Sequence, residues 1–315
     1  MSIDISSQIS KIKSAYYGRD VRQAFVDALT AVETAVNNID LSQVVKVNPL
    51  SHNSIFRGAD LSAKYKLTQV CDMVGNGDFS DVFIGDYFPV SGSFSVPTVN
   101  GGTMTVEYST KLRVAGINTY LMTGASLFDK NHIVVIPDDT LCNVPMNATE
   151  TTDGGFCGTY VYKQVLPAIA RHFTNLVGGL TSDNECRLLK RSVQLTTGVD
   201  GSLTSMAGTG LTGASSTSDI STERVLLPSE VEIFGCPLCG SSNLDIGFAN
   251  RQLPLFRIAP EFITKQRQYY WLSAVADKTR FVFVDADAAC SYTAANHNSN
   301  IGIRPILTLG GLETW

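Results

Sequence analysis

Charge is what this 315-residue sequence has least of. Asp, Glu, Lys and Arg make up 17% of it, against about 25% in an average soluble domain. Its 24 basic and 29 acidic residues leave a formal charge of −5. No stretch is dense in Lys or Arg, so the basic face of a nucleic-acid binder is missing and no nucleic-acid partner is expected. Long apolar runs are also lacking. Pieces such as Ile133–Ile136 fall far short of the roughly 18 residues a membrane helix needs, so no insertion is expected. The opening, Met1 to Ser7, has no basic region followed by an apolar core, so no signal peptide is read, and synthesis in a cytoplasm as a soluble chain is expected. Histidine is scarce, at four residues. No Gly-x-Ser-x-Gly elbow, His-Glu-x-x-His helix or Walker loop occurs, which leaves hydrolysis without an evident set of residues. The seven cysteines (71, 142, 157, 186, 236, 239, 290) are odd in number and widely spaced, and read first as buried thiols acting as small apolar groups.

What is present is apolar and rich in turns. Hydrophobic residues make up 44%, with 26 Gly and 11 Pro, too apolar for disorder and suited to many short strands. The first forty residues stand apart. Ile5, Ile9 and Ile12 are followed by Gly18, and then Val21, Phe25, Ala28, Val32, Ala35 and Ile39 recur at 4, 3, 4, 3, 4. That spacing is an a/d seam of period 3.5, expected to bind copies of itself. Fewer than three heptads are present, which is marginal for a helix alone. Three regions are assigned: a helical attachment and trimerisation segment (1–45), a connector (46–80) and a head domain (81–315).

In the head, strands are expected over 82–88, 111–117 and 131–137, the last nearly all apolar and so buried on both faces. Asn100-Gly101-Gly102 marks a hairpin turn. Val161, Val165, Ile169, Phe173 and Leu176 predict a helix over 159–176 with a kink at Pro167. The Gly/Ser/Thr-rich stretch 198–222 reads as a surface loop. Tyr269-Tyr270-Trp271 precedes two strands, 281–285 and 301–309, expected to pair. Trp271 is assigned to the core for the apolar area an indole buries. Arg304, between apolar neighbours, is expected to be buried among a carboxylate or several carbonyls, with Glu230 named as the acid.

The ordered blocks Gly85-Asp86-Tyr87-Phe88, His132 to Asp138, Met146-Asn147 with Thr151 to Phe156, Gln252 to Phe256, Tyr269 to Ser273, Phe281 to Asp285 and Gly302 to Leu307 resemble a C-type-lectin-like domain. That domain is common in phages and prophages of Gram-positive bacteria. The opening, Ile9 to Ile12 followed by Tyr17 to Ala24, is similar to the N-terminus of tail-tip and baseplate proteins of such phages. The resemblance implies an α+β fold: an N-terminal helical, coiled-coil-like segment followed by a C-type-lectin-like domain of short strands and two or so helices. It also implies a homotrimeric virion tail-tip protein, made in the bacterial host cytoplasm and attached through its N-terminus to other tail or baseplate proteins. Its expected function is non-enzymatic binding of a host cell-surface receptor, glycan or protein. The alternatives are a purely structural baseplate component, or a formylglycine-generating-like or wall-degrading enzyme on the same scaffold.

In that fold the late strands and loops commonly carry the ligand site, which directs attention to Asp285, Asp287, Tyr292, Asn296, His297, Asn298 and Asn300. Aromatic, imidazole and amide groups suit sugar rings and hydroxyls. Asp285 and Asp287 lack the remaining ligands of a calcium loop and read more naturally as turn caps. Cys236-Pro237-Leu238-Cys239 has the spacing of a metal hairpin or redox pair, but no second pair is spaced to complete a zinc site, unless His52 or His297 arrives in space. No cofactor and no metal are expected.

Overall fold

The computed structural model describes residues 18–37, 49–124, 126–178, 185–199, 215–240, 251–265, 267–297 and 300–314. The chain divides into two compact units, 1–48 and 49–315. Residues 49–80, read as a connector, therefore belong to the same unit as the head. They do so because Leu61, Val70, Cys71, Val74 and Phe79 are core residues.

The described part of the first unit is one helix, α1 (Gly18–Asn37), about 30 Å long at 1.5 Å per residue. Phe25 and Val32 of the seam are exposed, Phe25 by 60%, and Ala28 is half-buried. Ile39 and the isoleucines at 5, 9 and 12 lie outside the described residues, as do the side chains of Val21 and Ala35.

The expected α+β architecture, a helical segment followed by a C-type-lectin-like domain of short strands and two or so helices, is not adopted; of the 1–45 segment, only Gly18–Asn37 is described. The described residues are mostly β, with twelve strands in three sheets and short helices as accessories. Alternating Val, Ser and Thr segments broken by Gly turns favour hairpins over helices. The main sheet runs β1 (Tyr87–Pro97), β2 (Thr103–Ile117), β3 (His132–Pro137), β12 (Ile306–Thr314), β4 (Glu185–Leu188), with β7 (Val225–Leu226) also on β12. Its pairings are all antiparallel. The β1–β2 turn falls at the predicted Asn100-Gly101-Gly102, with Gly101 at φ +83°. All six residues of β3 are buried, as its apolar run requires.

A second sheet runs β10 (Cys290–Ala294), β9 (Arg280–Val284), β8 (Tyr269–Val275), β11 (Ile301–Gly302). The two final strands do not pair as expected. Residues 301–302 add parallel to β8, and β12 joins the main sheet instead. The intervening Arg304-Pro305 turns the chain: Arg304 points inward and Pro305 has no N–H for a ladder. The stretch 198–222 is only in part what was expected. Residues 215–223 form β6 (Ser215–Glu223), paired with β5 (Arg191–Val199), while 200–214 lie outside the described residues. Side-chain bonds such as Gln194 Nε2 to Ser218 Oγ at 2.6 Å help this polar ribbon keep its register.

Five helices need names here: α1, α2 (Leu67–Gly75), α3 (Leu166–Leu176), α4 (Glu230–Phe234) and α5 (Pro254–Ile258). A π-turn over Val161–Val165 leads into α3, with the Leu166 N–H bonded to the Val161 carbonyl. It delivers Pro167 to the first turn of α3, where its missing N–H costs nothing. Val161, Val165, Ile169 and Phe173 face the core. Trp271 is fully buried as expected, its Nε1 donating to the Val144 carbonyl at 2.9 Å.

The scarce charges are placed where segments meet. Arg113 Nε and Nη2 each lie 2.6 Å from a carboxylate oxygen of Asp138, and both residues are buried. A buried pair gains little over apolar packing, but losing one partner strands the other charge. Arg113→Ala is expected to cost about 3–5 kcal/mol in urea-unfolding free energy. The double variant R113M/D138L should regain part of that loss.

Candidate functional site

The β2–β3 connection, residues 118–131, is short of regular structure but tightly tied. Asn118 and Met122 hold φ of 49° and 59°, a conformation that non-glycine residues adopt at a cost of order 1–3 kcal/mol. Asn118 Oδ1 accepts from the His132 N–H, and the Asn118 N–H donates to the His132 carbonyl. The Met122 N–H donates to Phe128 O, and Phe128 N–H to Thr123 O.

Beneath the loop lies a buried polar network. The Tyr120 ring stacks on His132, with centroids 5.7 Å apart, and its hydroxyl donates to Glu232 Oε1 at 2.5 Å. Arg191 Nη2 bonds the same oxygen at 3.1 Å, and its guanidinium lies 4.0 Å from the Tyr120 ring centre. His132 Nδ1 lies 2.8 Å from the Lys130 carbonyl, and Nε2 accepts the Tyr120 N–H at 3.1 Å. That pattern requires a neutral ring, and burial pushes its pKa down to about 4, with the Arg191 charge acting in the same direction.

On its outer side the loop displays Met122 and Leu127, 60% and 63% exposed. Two clefts border it. One, of about 360 Å³, is lined by polar groups of Asp72, Asn76, Lys130 and Asn131, with Gly75 and Gly311 against them. The other, of about 240 Å³, lies among Leu127, Phe128, Lys130, Lys190, Ser192 and Thr222. Lys130 lines both. The first cleft exists because α2 ends directly on β12: a Cβ on Gly75 would lie 2.4 Å from Gly311 Cα, so this approach requires glycine. Its signals in the sequence are Gly75-Asn76-Gly77-Asp78, whose composition marks a turn, and Gly310-Gly311.

The ligand residues expected on the late hairpin are not gathered in one place. Asp285 and Asp287 sit in the β9–β10 turn, where Asp285 Oδ1 accepts from the Asp287 and Ala289 N–H groups, a capping role. Asp287 also pairs with Arg267 at 2.5 Å. Asn296, His297 and Asn300 lie past the far end of β10, five residues or roughly 15 Å from that turn. His297 Nε2 is 3.3 Å from Asn300 Oδ1. Asn298 lies outside the described residues. Tyr292 is 37% exposed between the two groups, with the Arg280 guanidinium 4.5 Å from its ring centre.

Arg304 is buried as expected, but its partners are the Pro137 and Ile263 carbonyls, at 2.7 and 2.8 Å. Glu230 is not its acid. Both Glu230 oxygens are engaged elsewhere: Oε1 accepts from the Cys239 N–H at 2.7 Å and the Cys290 thiol at 3.1 Å, and Oε2 from the Gly240 N–H at 3.1 Å. Glu230, Cys239 and Cys290 place one donor atom each within 4.8 Å of one another. The cysteine expected to pair with Cys239 was Cys236, which is exposed and outside this cluster. His52 is stacked on Phe83 instead, its Nδ1 2.5 Å from the Val82 carbonyl.

The thiols differ chemically. Burial pushes Cys71 and Cys142 up to about 12 and Cys157 up to about 11, which makes them poor nucleophiles. At Cys239 the shift is downward, chiefly through its hydrogen bonding with the neighbouring Cys290 sulfur. Cys290 correspondingly holds its proton far more tightly.

The buried ring beneath the loop makes stability pH-dependent. His132 binds a proton more readily unfolded, near pH 6.5, than folded, near 4. Its contribution is therefore present above pH 6.5 and lost as pH falls toward 4. At about 1.4 kcal/mol per pH unit the loss is roughly 3 kcal/mol. Urea midpoints at pH 7 and pH 4.5 should show that fall in the native protein and a flatter profile in His132→Asn.

No protein-family model matches the chain, and neither a curated protein nor a solved structure is similar to it. No helix among the described residues is long and apolar enough to cross a membrane.

Proposed function

We propose that the protein is a non-enzymatic phage tail-tip receptor-binding protein, anchored and multimerised through its N-terminal segment, that recognises a host cell-surface glycan. The observation that carries this reading is the 118–131 loop. It is an internally hydrogen-bonded segment that holds Met122 and Leu127 out in solvent between two open clefts. Exposed apolar groups on an over-determined loop, beside amide and ammonium donors, suit recognition of a large ligand. The clefts are open to solvent, which fits weak single-site binding strengthened by several copies. The seam on α1, with Phe25 and Val32 exposed, supplies the surface for copies to join, and a homotrimer is the assembly proposed.

Two experiments test this. Purified protein should bind cells of a panel of Gram-positive bacteria and compete with wall polymers released from the same cells. Asn76→Trp and Lys130→Ala should weaken binding by at least about tenfold without moving the melting temperature, whereas Tyr292→Ala should not. Absence of binding to every strain would favour the architectural role, and release of soluble wall fragments would favour an enzyme. In sedimentation equilibrium the full chain should be trimeric and the F25D/V32D variant monomeric. A monomeric native chain would remove the basis for avidity.

A further inference from the structure

Glu230 poses a problem that its hydrogen bonds do not solve. It is buried at the start of α4, and among the described residues no ion pair involves it. It accepts hydrogen bonds from two backbone N–H groups and one thiol. The neighbouring buried acid, Glu232, has Arg191 as well as the Tyr120 and Ser229 hydroxyls. A buried carboxylate without a cation is costly unless a cation is supplied.

The loop over Glu230 is built for close contact. A Cβ at Gly240 would lie 2.9 Å from Glu230 Oε2 and 2.7 Å from Ala274 Cβ, so only glycine lets the chain wrap the carboxylate this tightly. That wrap sets Cys239 beside Glu230, and β10 begins with Cys290 on the other side. The three donors come from α4, the loop after it and the β9–β10 hairpin. They bring two sulfurs and one carboxylate oxygen within 4.8 Å of one another. Tetrahedral zinc, with Zn–S of about 2.3 Å and Zn–O of about 2.0 Å, holds its donors roughly 3.5 Å apart, a small contraction from this arrangement.

We propose that Glu230, Cys239 and Cys290 form a binding site for a thiophilic divalent metal ion, with zinc as the ion whose chemistry fits. Binding one Zn²⁺ replaces the two thiol protons, which leave to solvent, and forms two Zn–S bonds and one Zn–O bond. The net charge of the three side chains and ion is −1 after binding, as it is for the carboxylate and two thiols before. Glu230 Oε1 exchanges the Cys290 thiol donor for the metal and keeps the Cys239 N–H. The fourth position falls to water or to Cys236, three residues before Cys239 on the same loop. Three donors from separate elements make this a structural pin, fixing the β9–β10 hairpin to α4.

The test uses the full chain, purified with thiols reduced and stripped with a chelator, then titrated with Co²⁺ as a spectroscopic probe and with Zn²⁺ in competition. The expected results are a thiolate-to-cobalt charge-transfer band saturating near about one metal per chain, its displacement by Zn²⁺, and a rise in melting temperature with Zn²⁺. Cys290→Ser and Cys239→Ser should lose the band and the thermal shift, and Glu230→Gln should weaken binding by at least about tenfold. Cys157→Ser should behave as the native chain. Because Glu230→Gln also disturbs the loop, the two serine variants, checked for a native melting transition, decide the matter. Absence of the band in the reduced native chain overturns the site, as does an unchanged band in Cys290→Ser. A chain lighter by two hydrogens through a Cys239–Cys290 disulfide, whose reduced form binds no metal, makes the pair a disulfide instead.

Discussion

The junction at Pro137-Asp138 is the constraint from which the head's arrangement follows. Two buried guanidinium groups converge there. Arg113 grips the Asp138 carboxylate with two nitrogens and gives a third bond to the Gly85 carbonyl at 2.5 Å. Arg304 reaches the Pro137 and Ile263 carbonyls. Phe262 lies under Arg113, its ring centre 4.3 Å away. Four segments distant in sequence are thereby tied to one end of β3. Arg113, with all three nitrogens bonded, would lose donors in a slightly wrong register, and that penalty is steep where apolar packing alone would tolerate slippage. In a chain this poor in charge, the few buried ions therefore act mainly as markers of register.

The same economy governs how the 118–131 loop is tied down. A connection of this length is usually a mobile excursion. Here Tyr120, His132, Arg191 and Glu232 form a continuous polar layer beneath it. Because the neutral His132 ring accepts the Tyr120 N–H, the loop's conformation is bound to one protonation state. The exposed Met122 and Leu127 are consequently held on a fixed platform, which lowers the ordering cost of contact with a partner.

Legibility in the sequence followed the range of the interaction. β3 was readable because, after His132, the buried residues Ile133 to Pro137 leave an unbroken apolar run. The β1–β2 turn was readable because Asn-Gly-Gly encodes its backbone locally. Trp271 was readable because an indole is rarely placed elsewhere. β6 was missed because its Ser and Thr alternate with almost no apolar signal, and its register depends on β5 across the ribbon. The α+β, lectin-like expectation rested on ordered short blocks, which fix local segments and say little of how sheets are joined. Arg304 was rightly placed inside, but nothing local distinguishes two carbonyls from one carboxylate as its partners. The two cleft glycines, 75 and 311, meet across 236 residues of chain, which is 311 − 75. No pattern in either neighbourhood announces the other.

Glu230 and Glu232 show how one short helix can serve two environments. At about 100° per residue, side chains two positions apart leave a helix on nearly opposite faces. Ser229 and Glu232 form a reciprocal cap, which fixes the rotation of α4. Glu232 then meets Tyr120 and Arg191 under the 118–131 loop. Glu230 is directed toward the two thiols and the hairpin. Because five residues leave no slack for the two faces to move independently, whatever holds Glu230 in place also holds Glu232. Through Glu232 it holds the Tyr120–His132 stack that supports the loop. The thiol cluster and the 118–131 loop thus share a single wall, and the stability of one is a condition for the shape of the other.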